Sequence, residues 1–258
     1  MVSRRTTERT SFFMISRSAI KKEAKAINKT AKVDPYSFTL LFFVISLALT
    51  AIESYVSGDI AERIASYTNQ SIHITINTPT FPGGVVSFVT VIVALMSTLL
   101  SAGYAVYIMG IRRGEKMPYS SLFDGFAFAG KAILLELVTG IFVVLWSLLF
   151  VIPGIIAAYR YSFALYNLVE DPDIGVMEAI RLSKQQTKGY KWDLFVTSLS
   201  FIGWAILSAL TLGILSIYVT PYINQTFVGY FQAIKAEKHI GCFPPEENSG
   251  EFTPWDER

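Results

Sequence analysis

Residues 130–169 read GKAILLELVTGIFVVLWSLLFVIPGIIAAYRYSFALYNLV, and this stretch decides how often the chain crosses a membrane. A helix needs about 20 apolar residues to cross roughly 30 Å of hydrocarbon. Residues 130–152 reach that length. Pro153-Gly154 then forms a tight break, and residues 154–169 follow as a second, shorter apolar run. One crossing or two are both compatible with this stretch, so the choice depends on the rest of the chain.

The same apolar character recurs along all 258 residues. Hydrophobic residues make up 52% of the chain and charged residues only 16%, against roughly 25% charged residues in soluble domains. Mean hydropathy is +0.44. Such a composition leaves too little polar surface for an ordinary soluble protein and predicts an integral membrane protein. Six apolar stretches are the candidate spans: 36–56, 85–111, 130–152, 154–169, 194–212 and 214–232.

The positions of lysine and arginine decide the number of spans. Of the 22 basic residues, 20 fall in four clusters: before the first stretch, from Arg112 to Lys131 around the start of the third, from Arg181 to Lys191, and after the sixth. With six spans, all these clusters fall on the cytoplasmic side, as the positive-inside rule requires. If residues 130–152 and 154–169 formed a single crossing, the basic residues of 181–191 would lie on the outer side of the membrane. We therefore predict an all-α, polytopic membrane helical bundle of six transmembrane helices with both termini in the cytoplasm.

The spans group into three in-out-in hairpins, each preceded by a cytoplasmic interfacial segment: residues 15–32, 119–128 and 173–188. Asp34-Pro35 is typical of a helix N-cap followed by proline at the first position, and Asp171-Pro172-Asp173 is expected to cap the helix 173–188. Residues 1–14 are predicted to be disordered, 15–237 to form a single membrane domain, and 238–258 to be an acidic flexible cytoplasmic tail.

The segment 15–32 is the clearest amphipathic helix. Apolar residues recur at helical spacing and lysines occupy the remaining faces, a pattern typical of helices that lie on anionic membrane surfaces. We expect this helix to contact anionic lipid headgroups. Its candidate lipid-contacting residues are Lys21, Lys22, Lys25 and Lys29.

Four charged residues lie within the predicted spans, and all except Lys131, at the very start of the third, are candidate site residues. A charge in hydrocarbon costs between about 2.5 and about 17 kcal/mol, so Arg160 needs a partner or water. Glu53 lies at a similar depth and is its expected ion-pair partner. A substrate or lipid-headgroup site, and snorkelling of Arg160 to the outer surface, are the open alternatives. Glu136 lies nearer the cytoplasmic side, where it reaches the interface or a neighbouring hydroxyl, or takes part in proton relay or substrate binding.

Uncharged polar residues mark the fourth and sixth apolar stretches. Asn167 continues the line of Arg160, and Tyr222 and Gln225 belong to a polar stripe in 214–232. Polar side chains in membrane helices face the bundle interior or a water-filled cavity. These residues are therefore predicted to line a shared crevice for transport or to form hydrogen bonds between helices, and both interpretations are open.

The residues needed for common enzyme chemistry are missing. The two histidines, His73 and His239, lie in the first loop and the tail, and the single cysteine, Cys242, excludes a multi-cysteine metal site. The sequence has no HExxH, GxSxG or GxxxxGK[ST] motif. We expect a non-enzymatic protein with no catalytic, cofactor-binding or metal-binding residues, no cofactor and no nucleic-acid partner.

Several short motifs occur together in a fixed order. They are GIRRGE (110–115), SLFDGF (121–126), WSLLFVIPGI (146–155), YRYS (159–162), DPD (171–173), AIRLS (179–183) and KGYKW (188–192). In this combination, residues 15–237 resemble the uncharacterised bacterial integral-membrane family catalogued as domain of unknown function 975. They are more distantly similar to membrane domains attached to glycerophosphodiester phosphodiesterases. The resemblance implies several spans in the bacterial plasma membrane, and it implies no activity.

Three functions follow as hypotheses. The first is a lipid-associated or accessory membrane component. The second is a small-solute or lipid transporter that uses the crevice between the fourth and sixth spans. The third is a membrane-embedded enzyme with carboxylate chemistry.

Overall fold

The computed structural model describes residues 16–31, 33–58 and 81–240, and within these ranges all regular structure is helical. Predictions for residues 1–14, for most of the first loop, and for the tail beyond residue 240 lie outside the described residues. The α-helices are α1 (Arg17–Thr30), α2 (Pro35–Ser57), α3 (Gly83–Arg112), α4 (Ala129–Leu149), α5 (Val151–Tyr161), α6 (Ala164–Glu170), α7 (Val176–Thr187), α8 (Lys191–Leu199), α9 (Ile202–Leu210) and α10 (Ser216–Lys238). A 3₁₀ helix, Tyr119–Phe128, precedes α4.

Helices α1 and α2 begin where side chains cap them. The Ser16 hydroxyl accepts a hydrogen bond from the Ala19 amide at 3.4 Å. The Asp34 carboxylate accepts one from the Ser37 amide at 3.0 Å, with Pro35 at the first helical position. The prediction for α7 was wrong by about one turn. Asp171 accepts a hydrogen bond from the Asp173 amide in a turn, so the helix starts only at Val176.

Within the part of the chain that the structure describes, four segments are long and apolar enough to cross a membrane: Pro35–Ser57, Gly83–Arg112, Tyr119–Leu149 and Lys191–Leu210. The described chain is thus an all-helical protein with the span lengths of a membrane protein. The predicted spans 154–169 and 214–232 are not among these segments. The first is divided because α5 ends at Tyr161 and α6 starts at Ala164. The second lies almost entirely within α10, where the polar side chains of Gln225 and Thr226 are buried.

Helix α3 has two different halves. Most side chains of residues 83–98 are exposed and apolar, whereas nearly all of residues 99–111 are buried. Gly103 allows this packing, because a Cβ at this position would overlap the carbonyl oxygen of Leu122. The 3₁₀ helix therefore crosses α3 with backbone against backbone, and the first half of α3 is left to face lipid.

Helix α10 packs against several other helices. It contacts α1, α2, α3, α7 and α9. Helix α1 lies close along it, since a Cβ on Gly229 would come within 2.8 Å of the Ile20 Cγ2 atom. Arg112, whose side chain is only 5% exposed, forms an ion pair with Glu23 of α1 at 2.8 Å and donates a hydrogen bond to Gln232 of α10 at 2.6 Å. These contacts fix the basic helix α1 to the fold.

Candidate functional site

A cavity of about 210 Å³ opens where α1 meets α9, α10 and the start of α2. We call it the basic-aromatic cleft. Its walls combine basic, amide and aromatic side chains with a single aliphatic residue. The lining residues are Lys25, Asn28, Lys29, Tyr36, Trp204, Tyr218, Val219 and Tyr222.

Two lysines provide the positive charge of the cleft. Lys25 and Lys29 are one helical turn apart on α1, so their side chains lie on the same face. The ammonium of Lys25 lies 5.3 Å from the ring centroid of Tyr222, within cation–π distance. Among the described residues, no acidic side chain lines the cleft. The cleft therefore favours an anionic ligand.

Aromatic rings form the opposite wall. Tyr36 and Tyr218 have ring centroids 4.8 Å apart, and the Phe201 ring contacts the edge of Tyr222 at 5.3 Å. Tyr218 and Trp204 are partly exposed at the mouth of the cleft. Tyrosine and tryptophan are enriched at membrane–water interfaces, where one end of the ring system is apolar and the other is polar. The aromatic side chains of the cleft are therefore of the kind found at the level of the lipid headgroups.

Asn28 supplies an unused polar group. It lies on the buried face of α1 with Ile20 and Ala24, and only 4% of the residue is exposed. Its Oδ1 atom accepts no hydrogen bond from any described residue. An unsatisfied buried acceptor costs about 1–3 kcal/mol.

The four predicted lipid-contacting lysines separate into two groups. Lys25 and Lys29 line the cleft, whereas Lys22 is exposed and is not among its lining residues. Lys21 donates a hydrogen bond to the Ser200 hydroxyl at 2.5 Å and lies 4.5 Å from the ring centroid of Phe201. Burial, followed by the charges of Lys25 and Arg17, lowers the pKa of Lys21 below its usual value. Lys21 thus joins α1 to the α8–α9 region.

The six predicted intramembrane polar residues do not form one site. Among the described residues, the expected ion pair between Arg160 and Glu53 is not formed within 4 Å. The backbone at Arg160 is held at α7 instead, because its carbonyl accepts hydrogen bonds from Ser183 at 2.9 Å and Thr187 at 3.3 Å. Glu53 lies near the other end of α2 from the basic-aromatic cleft. Arg160 and Glu53 were predicted to pair because they lie at a similar depth in two spans, but similar depth does not imply that the two helices are in contact.

Asn167 and Gln225 are occupied within the protein. Asn167 and Gln186 exchange two side-chain hydrogen bonds, of 2.9 and 2.8 Å, between α6 and α7. Gln225 donates to the Ile108 carbonyl of α3 at 2.9 Å. Tyr222 alone of the predicted set lines the basic-aromatic cleft, and Glu136 is exposed beside a groove between α3 and α4. The geometry of Asn167 and Gln225 matches interhelical hydrogen bonding.

Two functional features were missed by the sequence reasoning. Asn28 was not singled out, although it is in helical phase with Ile20 and Ala24 and is therefore a polar residue on an apolar face. Arg112 was counted only as part of a basic cluster. Its position at the end of an apolar run gave no sign that it is buried.

The family described as Protein of unknown function (DUF975) matches residues 14–156 and 148–238 of the chain. The chain belongs to this family. The resemblance predicted from the ordered motifs is thereby confirmed, and every residue of the basic-aromatic cleft lies within the matched segments. No curated protein and no solved structure matches the chain. Because the family description states no activity, the function has to be inferred from the geometry.

Proposed function

We propose that this DUF975 protein is a non-enzymatic, lipid-associated accessory component of the bacterial plasma membrane. It binds anionic lipid headgroups at the cytoplasmic face through the basic-aromatic cleft. One observation carries the proposal: Lys25 and Lys29 face aromatic residues across a cavity that is lined by no acidic side chain of the described ranges. Basic residues next to a membrane-spanning helix attract anionic lipid with about 1 kcal/mol each, and nucleic acid plays no part.

The proposed topology keeps both termini in the cytoplasm, with a third hairpin that enters the bilayer from the cytoplasmic side without crossing it. The ring of Tyr218, near the start of α10, lies 4.8 Å from that of Tyr36 at the cytoplasmic start of α2, so the turn before α10 does not reach the outer surface. The charge distribution supports cytoplasmic termini, since 20 of 22 basic residues then lie on one side. A hairpin adds either two crossings or none. The third hairpin, residues 191–238, therefore leaves the sidedness of the other segments unchanged whether or not it crosses completely.

The transport alternative receives less support. It requires Asn167 and Gln225 to line a crevice open to water, but both side chains are buried and hydrogen-bonded to neighbouring helices. The carboxylate-enzyme alternative has a similar weakness, because Glu53 and Glu136 lie on different elements and Glu136 faces outwards. We therefore keep the lipid-associated function as the proposal.

Thermal unfolding in neutral detergent tests the proposal. Adding phosphatidylglycerol should raise the Tm of the wild-type protein more than adding the same amount of phosphatidylcholine, because only the anionic lipid pairs with the lysines. The Lys25→Ala/Lys29→Ala double variant should lose that difference. Lys22→Ala, which removes a lysine from the same helix outside the cleft, should keep it. Equal shifts with the two lipids in the wild-type protein would refute anionic-lipid binding.

A further inference from the structure

Helices α3 and α4 line two adjoining cavities with a carboxylate between them. The two cavities share Glu136 of α4 and Thr98 of α3, and neither shares a residue with the basic-aromatic cleft. We infer that they form a second binding site, which takes a single-chain amphiphilic amine: its ammonium pairs with Glu136, and its alkyl chain lies along α4. The inference does not rest on the proposed function, because it concerns different helices.

Glu136 is an ionisable residue without an ionic partner inside the protein. It lies seven residues after the start of α4, within the candidate span Tyr119–Leu149, which places it about 10 Å along the helix at a rise of about 1.5 Å per residue. The flanking Leu134 and Leu137 are 48% and 58% exposed, so apolar surface surrounds the carboxylate. None of the described residues forms an ion pair with it within 4 Å. An ionisable group at membrane depth is costly without a partner, so a bound cation would stabilise its charged form.

The smaller cavity, of about 330 Å³, offers the hydrogen-bond acceptors that an ammonium requires. Besides Glu136, it is lined by the hydroxyl-bearing residues Ser97, Thr98 and Ser101. The Thr98 hydroxyl donates its hydrogen to the Ala94 carbonyl at 3.1 Å, so its oxygen can still accept a hydrogen bond. A carboxylate only accepts and an ammonium only donates. The two groups therefore form a charge-assisted hydrogen bond.

The charge of the site disfavours a headgroup that carries a phosphate. Among the described residues, no lysine or arginine lines either cavity. Lys131, the basic residue that precedes Glu136 in α4, donates a hydrogen bond to the Pro172 carbonyl. A phosphate would lie beside the Glu136 carboxylate without a cation to balance it, and the two like charges would repel each other. An amine without a phosphate therefore fits better than a zwitterionic lipid.

The larger cavity, of about 460 Å³, provides the space for an alkyl chain. Apart from Thr98 and Glu136, the described residues that line it are apolar residues and Gly140. The cavity extends along α4 from Ile133 to Leu145, and its volume lies within the range of small-molecule pockets, roughly 300–1,000 Å³. A Cβ on Gly140 would meet no atom of the described residues within 4 Å, so this part of the groove has room for a ligand. Because the groove begins beside Glu136, one amphiphile can occupy both cavities.

Native mass spectrometry of the full chain in neutral detergent tests the inference with three probes that carry the same dodecyl chain. Dodecylamine is cationic at neutral pH, dodecanol is uncharged, and dodecylphosphocholine carries a phosphate beside its ammonium. The wild-type protein should bind dodecylamine about tenfold more tightly than either of the other two, the ratio expected for one charge-assisted hydrogen bond. Equal binding of dodecanol would mean that only the apolar groove binds, and equal binding of dodecylphosphocholine would mean a phospholipid site. Either result would overturn the inference.

Variants locate the amine. Glu136→Gln should bind dodecylamine no more tightly than dodecanol, whereas Glu53→Gln, which removes a carboxylate from the candidate span α2, should keep the wild-type preference. Gly140→Leu should weaken the binding of dodecylamine, because the leucine side chain fills the groove and leaves the carboxylate in place. This variant and the wild-type comparison decide the matter even if Glu136→Gln does not fold. A preference that Glu136→Gln retains, that Glu53→Gln also loses, or that Gly140→Leu leaves unchanged would overturn the inference. Lys25→Ala/Lys29→Ala should keep the preference, so this site and the proposed function fail separately.

Discussion

Arg112 is the residue on which the position of α1 depends. Its guanidinium is nearly inaccessible to solvent and bonds to Glu23 of α1 and Gln232 of α10. A buried cation that loses its partner keeps its desolvation cost, so the effect of removing Glu23 exceeds that of removing an exposed ion pair.

Glu23→Ala should therefore lower the free energy of unfolding by about 1.5–3 kcal/mol, the range for a hydrogen bond to a charged group. Chemical unfolding in detergent, followed by circular dichroism, measures this change. Glu178→Ala is the matched control, because Glu178 pairs with Arg181 on the same exposed helix face at 2.6 Å and such pairs contribute about 0.3–0.5 kcal/mol. Equal losses for the two variants would show that Arg112 does not depend on Glu23.

At the scale of the elements, the contact between α3 and the 3₁₀ helix separates the packed half of α3 from its lipid-facing half. The contact requires a glycine at position 103, where a Cβ would overlap backbone atoms of Leu122. Backbone atoms cannot move aside as a flexible side chain can, so the two elements would have to separate.

Gly103→Ala should destabilise the protein by about 1–3 kcal/mol, as overpacking in a well-packed interior does. Gly140→Ala in α4 serves as the control, because a Cβ on Gly140 would meet no atom of the described residues within 4 Å, and alanine in an open helical position is neutral or stabilising by up to about 1 kcal/mol. Both free energies come from the same unfolding titration. If Gly103→Ala is as stable as Gly140→Ala, the close contact with the 3₁₀ helix is not formed.

The sequence could predict those elements whose signals are local. Ser16 and Asp34 start α1 and α2 through side-chain caps, and the apolar lengths of 36–56 and 85–111 are sufficient for spans. The break between α5 and α6 could not be predicted, because an apolar run does not distinguish one helix from two short ones. The cleft could not be predicted as a whole either. It joins α1 to α9 and α10, which are distant in sequence, and depth alone does not reveal which helices pack together.

For the molecule as a whole, the third hairpin is the element that distinguishes six crossings from four. Its first arm, Lys191–Leu210, has the length and hydropathy of a span, whereas α10 is largely buried among α1, α2, α3 and α7. Leu212 and Ile214 at the turn are strongly exposed. These apolar residues enter the bilayer in either arrangement, and only the depth of the turn differs.

Cysteine labelling in intact cells resolves this depth. In a Cys242→Ser background, a cysteine introduced by Leu212→Cys should stay unlabelled by a membrane-impermeant maleimide added outside, because the start of α10 lies beside Tyr36 at the cytoplasmic start of α2. A cysteine introduced by Lys22→Cys, in α1, should react only after the cells are permeabilised. Labelling of the cysteine at position 212 from outside would show that the third hairpin crosses the bilayer.

The central claim is that Lys25 and Lys29 hold an anionic lipid at the cytoplasmic face. The most direct measurement is the amount of anionic lipid that co-purifies with the protein from its membrane, determined by native mass spectrometry. We predict that the wild-type protein and Lys22→Ala retain a stoichiometric anionic lipid, and that Lys25→Ala/Lys29→Ala loses most of it at unchanged helical content. Equal lipid retention by all three proteins would contradict the account.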